Sequence, residues 1–573
     1  MGAATPLFGW AVAVAGMLVA HILFGVRLSA PGWLALGLGA VALVAFARRR
    51  DMPIDPLVPR AALVALPLLL LAAAHRASEW DEFSHWAGAI RYVVEKGVLP
   101  TGADPHHALQ FPAYPFAFPF LNALAAWPAG RFLEGTGPVF NLLLLLCYGA
   151  LAVRLWLDGA GRNGAGASTW TMAAFAVAAA SVLNPSFVQK IIFTNYAETA
   201  TGVAAAFAGV LAWKALNALA ESRDGEARAL AWQLGLTGAL LVAIKQVNLV
   251  VLVIVTGGAA VVAVRDPAIG LKRLLPLAPA AMLPPALIYG LWRYHVARNV
   301  GGTGEFALMP ISQWLVGKVP AILGRMALIA SKKGAYFAPM LIVAGLGLRA
   351  LWRCRTPFDR LALIAAAAFL GYNAFLLFTY VAVFGEGEGT RAASFWRYNM
   401  HVALLGAAFG AYLVGVLSRR WLGARPPPRA VLPVLLALAL LLPLALAPKL
   451  RFDREQPKPH FRAVATHIEP LVPRAARLTV FDPEGTGESG IMAFYHLRRA
   501  DPGIAWIAAG TSLTAERIAA LFAGNPPDFV LVHSGAGVVA AATGLALEPR
   551  VSYLLRRRAD GWAIAGRWPY PDN

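Results

Sequence analysis

Long apolar runs separated by short polar segments make up most of residues 1–448. A helix needs about 20 predominantly apolar residues to cross a bilayer, and about thirteen segments approach this length. The pattern therefore predicts an all-α polytopic membrane bundle. The predicted spanning helices cover residues 7–26, 31–47, 57–74, 139–156, 169–187, 197–213, 232–243, 247–264, 274–291, 335–348, 361–381, 401–417 and 431–446.

One further apolar stretch, residues 111–130, is predicted not to cross the membrane. Its prolines are too frequent for a regular spanning helix, and its aromatic residues are typical of a membrane interface. Just before it, apolar residues recur at spacings of three and four from Phe83 to Val94, which predicts an amphipathic helix. We therefore expect residues 76–135 to form an external loop with helices lying on the membrane surface. A re-entrant segment is the alternative.

The pattern changes after residue 448. Residues 449–573 are more polar and are punctuated by Pro and Gly. Short apolar runs at 478–481 and 529–532 alternate with helix-like stretches, which is typical of an α/β domain. The chain is thus predicted to divide into a membrane module, residues 1–448, and a small C-terminal α/β domain, residues 449–573.

Composition excludes an ordinary soluble protein. Of the 573 residues, 58% are hydrophobic and 14% are charged, whereas soluble domains are about half apolar and about a quarter charged. The formal net charge is +20, but the basic residues fall mostly between apolar runs, so nucleic acid is not an expected partner. Cys147 and Cys354 provide neither a disulfide framework nor the spacing of a metal site.

The basic loops also predict the orientation of the bundle. Arg48, Arg228, Lys272, Arg353 and Arg419 stand in loops that all fall on one side, which should be the cytoplasm. The N-terminus is then inside, and the first helix is expected to be retained rather than cleaved. In the inner membrane of a bacterium, the first loop and the C-terminal domain would face the periplasm.

Asp81 and Glu82 are adjacent acids at the predicted outer exit of an apolar segment. A carboxylate pair at a membrane surface has a desolvation cost that a structural loop could avoid, which makes it a candidate for base chemistry. A solvated helix start, capped by Ser84 or Asp81, is the alternative. With His85 the two acids could also share a divalent cation, although magnesium or manganese would need further oxygen ligands. The sequence requires no cofactor.

Three short motifs occur in one order and on one predicted side of the membrane. They are the acid pair, a Tyr-Pro segment that begins at Tyr114, and the pair Arg397-Tyr398. In this arrangement the chain resembles the GT-C superfamily of integral membrane glycosyltransferases, in its protein mannosyltransferase and aminoarabinose transferase branch. The resemblance covers residues 57–446 and is one of architecture rather than of extended identity.

The resemblance implies that a sugar moves, with inversion, from a polyprenyl-phosphate donor to an extracytoplasmic glycan, lipid or protein. Asp81 would take the proton of the acceptor hydroxyl, and Glu82 would orient the acceptor or a neighbouring group. The developing charge on the leaving phosphate needs a cation, for which Arg397 is the first candidate because its planar fork suits phosphate oxygens. Lys332, Lys333 and Arg391 are further candidates, and each could instead anchor lipid headgroups.

The remaining candidates are substrate-binding residues. Glu198 and Lys245 are ionisable groups at helix ends in otherwise apolar sequence, where such residues normally face a cavity or a partner. They predict either a mutual ion pair or contact with a sugar hydroxyl. His85, Tyr114 and Tyr398 complete the predicted substrate-binding set.

Two other functions remain open. An O-antigen ligase-like or polymerase-like enzyme would act on lipid-pyrophosphate glycans, but it would need neither the acid pair nor a large C-terminal external domain. A lipid-linked sugar transporter or flippase would be expected to have repeated halves and charged residues deep in the bundle.

Topology provides the first test. A reporter that is active only in the periplasm, fused after residue 573, should be active, because the predicted parity of spans places the C-terminal domain outside. The control is the same reporter inserted at Arg50, which should be silent. Activity from a cytoplasmic reporter at residue 573 would contradict the orientation.

Overall fold

The computed structural model describes residues 2–571 apart from 50–52, 103–108, 110, 163–168, 301–306, 423–430, 451, 474, 499–503, 508–513 and 525. The chain divides into two compact units. The membrane unit is drawn from Met1–His75, Ala113–Arg298 and Glu305–Pro448, and the C-terminal unit is drawn from Arg76–Pro112, Asn299–Gly304 and Lys449–Asn573. The C-terminal unit thus includes much of the first loop, which the sequence analysis places with the membrane module.

The described part of the chain is mainly helical, and its strands lie in the C-terminal unit. Up to residue 300 the described α-helices are α1 (Thr5–Phe24), α2 (Ser29–Arg49), α3 (Leu57–Val64), α4 (Leu66–Ala73), α5 (Ala87–Lys96), α6 (Ala117–Ala126), α7 (Thr136–Gly159), α8 (Trp170–Ala180), α9 (Gln189–Ile192), α10 (Glu198–Ala220), α11 (Asp224–Ile244), α12 (Asn248–Arg265), α13 (Leu271–Leu274) and α14 (Ala278–His295). Beyond residue 300 they are α15 (Val319–Lys332), α16 (Gly334–Ala350), α17 (Pro357–Ala382), α18 (Glu386–Thr390), α19 (Phe395–Leu422), α20 (Val431–Leu446), α21 (Lys458–Ile468), α22 (Glu488–Leu497), α23 (Ala515–Gly524) and α24 (Ala536–Thr543). The strands are β1 (Leu478–Phe481), β2 (Ile504–Ile507), β3 (Phe529–Val532), β4 (Val551–Arg558) and β5 (Gly561–Pro569).

Within the described residues, 10 helical segments are long and apolar enough to cross a membrane. The prediction of a helical, multi-pass membrane protein is confirmed, but the predicted count of about thirteen is not. One of the 10 segments, Ile311–Lys332, was not predicted, since it lies between the predicted spans 274–291 and 335–348. Four predicted spans form helices of at most 17 residues, which are not among the 10 segments. They are the predicted spans 57–74, 169–187, 335–348 and 431–446.

Local chemistry explains why some of these helices are short. Pro67 has no amide hydrogen, and the third predicted span is divided into α3 and α4 just before it. After α8, the Oδ1 atom of Asn184 accepts hydrogen bonds from the backbone amide of Ser186 at 2.9 Å and from its hydroxyl at 2.7 Å, which forms a turn. Residues 111–130 contain only the 10-residue α6, which is too short to cross.

Helix α10 lies at the centre of the membrane unit. It packs against α7, α11, α12, α17 and α19. Of its most apolar 18-residue stretch, 89% is buried. Alanine and glycine provide many of its contacts, as at Ala204 and Gly209, and small residues let neighbouring helices approach closely. Polar groups at the ends of α10 are therefore held by rigid surroundings.

The C-terminal unit has the predicted α/β form. Its strand order is β2-β1-β3-β4-β5, in which β1 runs parallel to β2 and β3, while β3, β4 and β5 are antiparallel neighbours. Side chains alternate along β1, so that Leu478 and Val480 enter one hydrophobic core and Phe481 enters the other. Helices thus cover both faces of the sheet: α21 and α22 contribute to the first core, and α23 and α24 contribute to the second.

The predicted amphipathic helix is present as a π-helix, Glu82–Trp86, followed by α5. Its apolar face packs against α22, because the ring of Phe83 lies 5.2 Å from that of Tyr495 and the guanidinium of Arg91 lies 4.3 Å over the same tyrosine ring. Arg91 also donates a hydrogen bond to the backbone carbonyl of Tyr495. This corrects the prediction of a helix lying on the membrane surface, since a protein helix covers its apolar stripe.

Gly159 of α7 and Gly415 of α19 allow the two helices to touch. A Cβ atom on Gly415 would stand 2.1 Å from the backbone oxygen of Trp156, whereas one on Gly410, also in α19, would meet nothing within 4 Å. Gly415→Val should therefore destabilise the protein by about 1–3 kcal/mol through overpacking. Gly410→Val, which has the same helix-propensity cost, is the matched control. Heating the purified proteins in detergent and measuring the monodisperse fraction would test this, and equal loss in the two variants would contradict the close contact.

Candidate functional site

A buried ion pair joins two helix ends in the membrane unit. Glu198 is the first residue of α10, and Lys245 directly follows the last residue of α11. The Nζ atom of Lys245 lies 2.9 Å from the Oε1 atom of Glu198, and the two side chains are 8% and 2% exposed. Each charge lies at the helix end whose dipole it complements. The structure thus contains the ion pair that the sequence offered as one of two interpretations.

Arg397 adds a second cation to this pair. It lies in the first turn of α19, with its Nε atom 3.7 Å from the Oε1 atom of Glu198 and a side chain that is 25% exposed. Its guanidinium lies 5.7 Å from the ring centre of Tyr196 and 5.6 Å from that of Tyr398. Cations are attracted to aromatic faces, so the two rings help to hold the guanidinium in place.

His401 and Tyr372 complete the cluster and were missed by the sequence analysis. His401 is four residues after Arg397 on α19, so both residues lie on one face of the helix. Its Nδ1 atom is 2.7 Å from the hydroxyl of Tyr372 on α17, and both side chains are 2% exposed. A histidine inside an apolar run was the available signal, since ionisable groups in membrane helices usually serve a function.

Asparagine side chains fix the backbone around these residues. Asn248, at the start of α12, donates to the hydroxyl of Thr201 at 3.0 Å and to the carbonyl of Leu241 at 2.9 Å, which joins α10, α11 and α12. On α7, the amide of Asn141 lies within hydrogen-bond distance of three carbonyls in the segment before Glu198, those of Ile192, Thr194 and Tyr196. The cluster is therefore preorganised.

The cluster combines charges of both signs with unsatisfied polar atoms. Glu198 provides a carboxylate, and Lys245 and Arg397 provide two cations. Within the described part of the chain, the buried atoms Oε2 of Glu198, Oγ1 of Thr199 and Nε2 of His401 have no hydrogen-bond partner. Buried polar groups are normally hydrogen-bonded. The arrangement therefore suits a ligand with hydrogen-bonding groups, and its two cations suit an anionic one.

The predicted catalytic acids lie in the C-terminal unit. Glu82 is fully buried, and its Oε2 atom accepts hydrogen bonds from the backbone amides of Ser78 at 2.9 Å and Glu79 at 3.1 Å. Asp81, directly before it, is half-buried. Glu82 thus stabilises the turn that positions Asp81, which is a different task from orienting an acceptor.

His85 lies on the same π-helix but is packed among aromatic rings. It is 2% exposed, and its ring centre lies 4.7 Å from that of Trp86 and 5.9 Å from that of Phe111. Among the residues that the structure describes, no group of three or more His, Cys, Asp or Glu side chains is placed to hold a metal ion. The possible cation site of Asp81, Glu82 and His85 is therefore not formed by those residues alone.

Arg391, Lys332, Lys333 and Tyr114, the other predicted residues, lie elsewhere in the membrane unit. Arg391 is exposed and donates to the carbonyl of Gly387, four residues earlier, at 2.7 Å. Lys332 ends α15 and is exposed, and the Nζ atom of Lys333 lies 5.5 Å from the ring of Trp396. Tyr114 precedes α6 and is half-buried. Of the predicted external cations, Arg397 is the one that the structure shows beside Glu198.

The C-terminal unit has a second polar cluster, at the carboxyl ends of β1 and β3. In parallel sheets such ends can bind ligands where the strand order reverses. Here the Oδ atoms of Asp482 accept hydrogen bonds from the hydroxyls of Ser489 at 2.7 Å and Ser534 at 2.5 Å. Nearby, His533 is buried, and burial lowers its pKa to about 3. These groups satisfy one another, so the cluster is structural.

Comparison with known proteins gives no family assignment. No protein-family model matches the chain, and no curated protein matches it significantly.

The ion pair makes an asymmetric prediction about stability. Glu198→Gln should cost more free energy of unfolding than Lys245→Gln, because it removes the carboxylate that Lys245 and Arg397 share, whereas Lys245→Gln leaves Glu198 with Arg397. Breaking a buried pair typically costs about 3–5 kcal/mol. The double variant should be less destabilised than the sum of the single variants. Thermal unfolding in detergent would measure this.

The exposed pair Arg273–Asp224, at 2.7 Å, provides the control. Asp224→Asn should change stability by about 0–1 kcal/mol, because solvent screens exposed pairs. Additive losses in the Glu198 and Lys245 variants would show that the two residues do not interact.

Proposed function

We propose that the protein is a GT-C-like membrane glycosyltransferase that moves a sugar from a polyprenyl-phosphate donor to an extracytoplasmic glycan, lipid or protein, with inversion. The observation that carries the proposal is the membrane-embedded cluster with one carboxylate, two cations and unsatisfied polar atoms. The proposed location is a bacterial inner membrane, with the N-terminus in the cytoplasm and residues 449–573 in the periplasm.

The two cations of the cluster favour an anionic group on the donor. A sugar linked to a prenyl alcohol through one phosphate is a phosphodiester with a single negative charge, and Lys245 and Arg397 are cations suited to its oxygens. A lipid-pyrophosphate glycan carries about two charges and therefore needs more compensation in a region of low dielectric. This supports the polyprenyl-phosphate donor over the ligase-like alternative.

The same cations would assist the reaction. The acceptor oxygen attacks the anomeric carbon of the sugar, the bond from that carbon to the phosphate oxygen breaks, and the prenyl phosphate leaves with a second negative charge. Preorganised cations in a site that excludes water stabilise such developing charge strongly. Arg397 is suited to this step because its planar guanidinium can donate two parallel hydrogen bonds to phosphate oxygens.

Asp81 is the proposed general base. It would take the proton that the acceptor hydroxyl loses during attack. Of the two adjacent acids, Asp81 is the better candidate because the carboxylate of Glu82 already accepts two backbone amides and is fully buried. The π-helix that begins at Glu82 supports this choice, since such helical irregularities are frequent at functional sites.

Arg397→Lys tests the phosphate contact. Lysine keeps the charge but loses the two-pronged fork, so turnover should fall at least about tenfold if Arg397 binds the donor phosphate. Cells of a deletion strain that carry this variant should still accumulate the lipid-linked sugar, which mass spectrometry would identify. Arg391→Lys is the matched control and should restore wild-type levels. Full complementation by Arg397→Lys would show that Arg397 does not bind the donor phosphate through its fork and would favour a role as an anchor for lipid headgroups.

Asp81→Asn tests the base. The change keeps the shape of the side chain and removes its basicity, so turnover should fall by about 10²- to 10⁴-fold with little change in thermal stability. Glu79→Gln, which removes a charge two residues away, should retain activity. If Asp81→Asn kept activity within a few-fold of wild type, the base would have to be another residue.

A further inference from the structure

The hydrogen bond between Tyr372 and His401 fixes the position of the imidazole ring and also determines which ring nitrogen is left for a ligand. Within the described residues, the Tyr372 hydroxyl has one hydrogen-bond partner, the Nδ1 atom of His401 at 2.7 Å. The Nε2 atom of the same ring has none, although the side chain is 2% exposed. One nitrogen is thus committed and the other is available for a ligand.

The protonation state of the ring follows from its surroundings. His401 lies four residues after Arg397 on α19 and is 2% exposed, so a charged imidazole would place a further buried positive charge beside that guanidinium. The neutral ring is therefore favoured. A neutral imidazole has one donor nitrogen and one acceptor nitrogen.

Tyr372 decides which nitrogen carries the hydrogen. If Nδ1 were the donor, the buried Tyr372 hydroxyl would accept that bond, and its own hydrogen would have no acceptor among the described residues. A buried donor without a partner costs about 1–3 kcal/mol. If the hydroxyl instead donates to Nδ1, the hydroxyl hydrogen is satisfied and the ring hydrogen is on Nε2, where a ligand oxygen can accept it. The favoured tautomer therefore presents an N–H group.

We infer that His401 is a ligand-binding residue whose Nε2–H group, held in that tautomer by Tyr372, donates a hydrogen bond to a phosphate oxygen beside Arg397 and Lys245. The inference rests on the proposed function, because the phosphate is that of the lipid-linked donor. A neutral donor binds the oxygen without adding a further positive charge to the buried cluster. Tyr372 is then a positioning residue.

The binding experiment uses purified full-length protein in detergent, with farnesyl phosphate as the probe and inorganic phosphate as a second probe. His401→Ala should weaken farnesyl phosphate binding by about ten- to a hundred-fold, since it removes a hydrogen bond to a charged group. His401→Gln, which can place an amide N–H near the position of Nε2–H, should restore most of the affinity. Tyr372→Phe should weaken binding several-fold, whereas Tyr148→Phe, in a buried tyrosine of α7 outside the cluster, should not.

A spectroscopic measurement reads the tautomer directly. Histidine labelled with ¹⁵N should give an Nε2–H signal for His401, assigned by its loss in His401→Gln and shifted by farnesyl phosphate. In Tyr372→Phe this signal should broaden or move as the other tautomer becomes populated. A structural role for the Tyr372–His401 pair would change stability but would not make the signal respond to phosphate.

The outcomes separate the inference from the proposed function. If wild-type protein binds farnesyl phosphate and Arg397→Lys weakens that binding, but His401→Ala binds normally or the signal shows Nδ1–H, the inference is wrong and the proposed function stands. If wild-type protein does not bind farnesyl phosphate, both are wrong. Equal affinity for inorganic phosphate, lost in His401→Ala, would support the role of His401 and contradict a lipid-linked donor.

Discussion

The cost of burying Glu198 constrains the membrane unit. An ionised carboxylate at 2% exposure in an apolar bundle is tolerated only when opposite charge and hydrogen bonds compensate for its lost hydration. Lys245 provides the contact at 2.9 Å, and Arg397 lies at 3.7 Å. These partners come from the end of α11 and the start of α19, so the positions of three helix ends depend on one carboxylate. The asparagine contacts of α7 and α12 then hold the intervening backbone.

In the C-terminal unit, the amphipathic helix that follows Asp81 is buried against other helices. Phe83 and Arg91 pack on Tyr495 of α22, and Arg462 of α21 donates to the carbonyl of Ala77. The segment that carries Asp81 is thereby part of a folded domain rather than a loop whose order depends on lipid. A base must be held in a fixed orientation to be effective. Packing on α21 and α22 provides that orientation.

Sequence patterns predicted the features that depend on local chemistry. The apolar runs predicted a helical membrane protein, and β1 and β3 begin and end at the predicted residues, 478–481 and 529–532. Span length was predicted less well, since an apolar run does not show where a turn such as that at Asn184 interrupts it. The site was only partly predictable. Glu198 and Lys245 stand out as charges in apolar sequence, but the packing of α17 on α19 that brings Tyr372 to His401 is a long-range contact with no local signal.

A purely structural ion pair would be the simplest explanation of Glu198 and Lys245, but it does not account for the unsatisfied atoms around it. Within the described residues, Oε2 of Glu198 and Nε2 of His401 are buried without a hydrogen-bond partner. A closed pair gives these atoms no role, whereas buried polar groups are normally hydrogen-bonded. Arg397 keeps a quarter of its side chain exposed, with its guanidinium 5.7 Å from the ring centre of Tyr196 and 5.6 Å from that of Tyr398. An anionic ligand with hydrogen-bonding groups accounts for the unsatisfied atoms and for a second cation beside Glu198, and therefore explains the cluster more completely than stability alone.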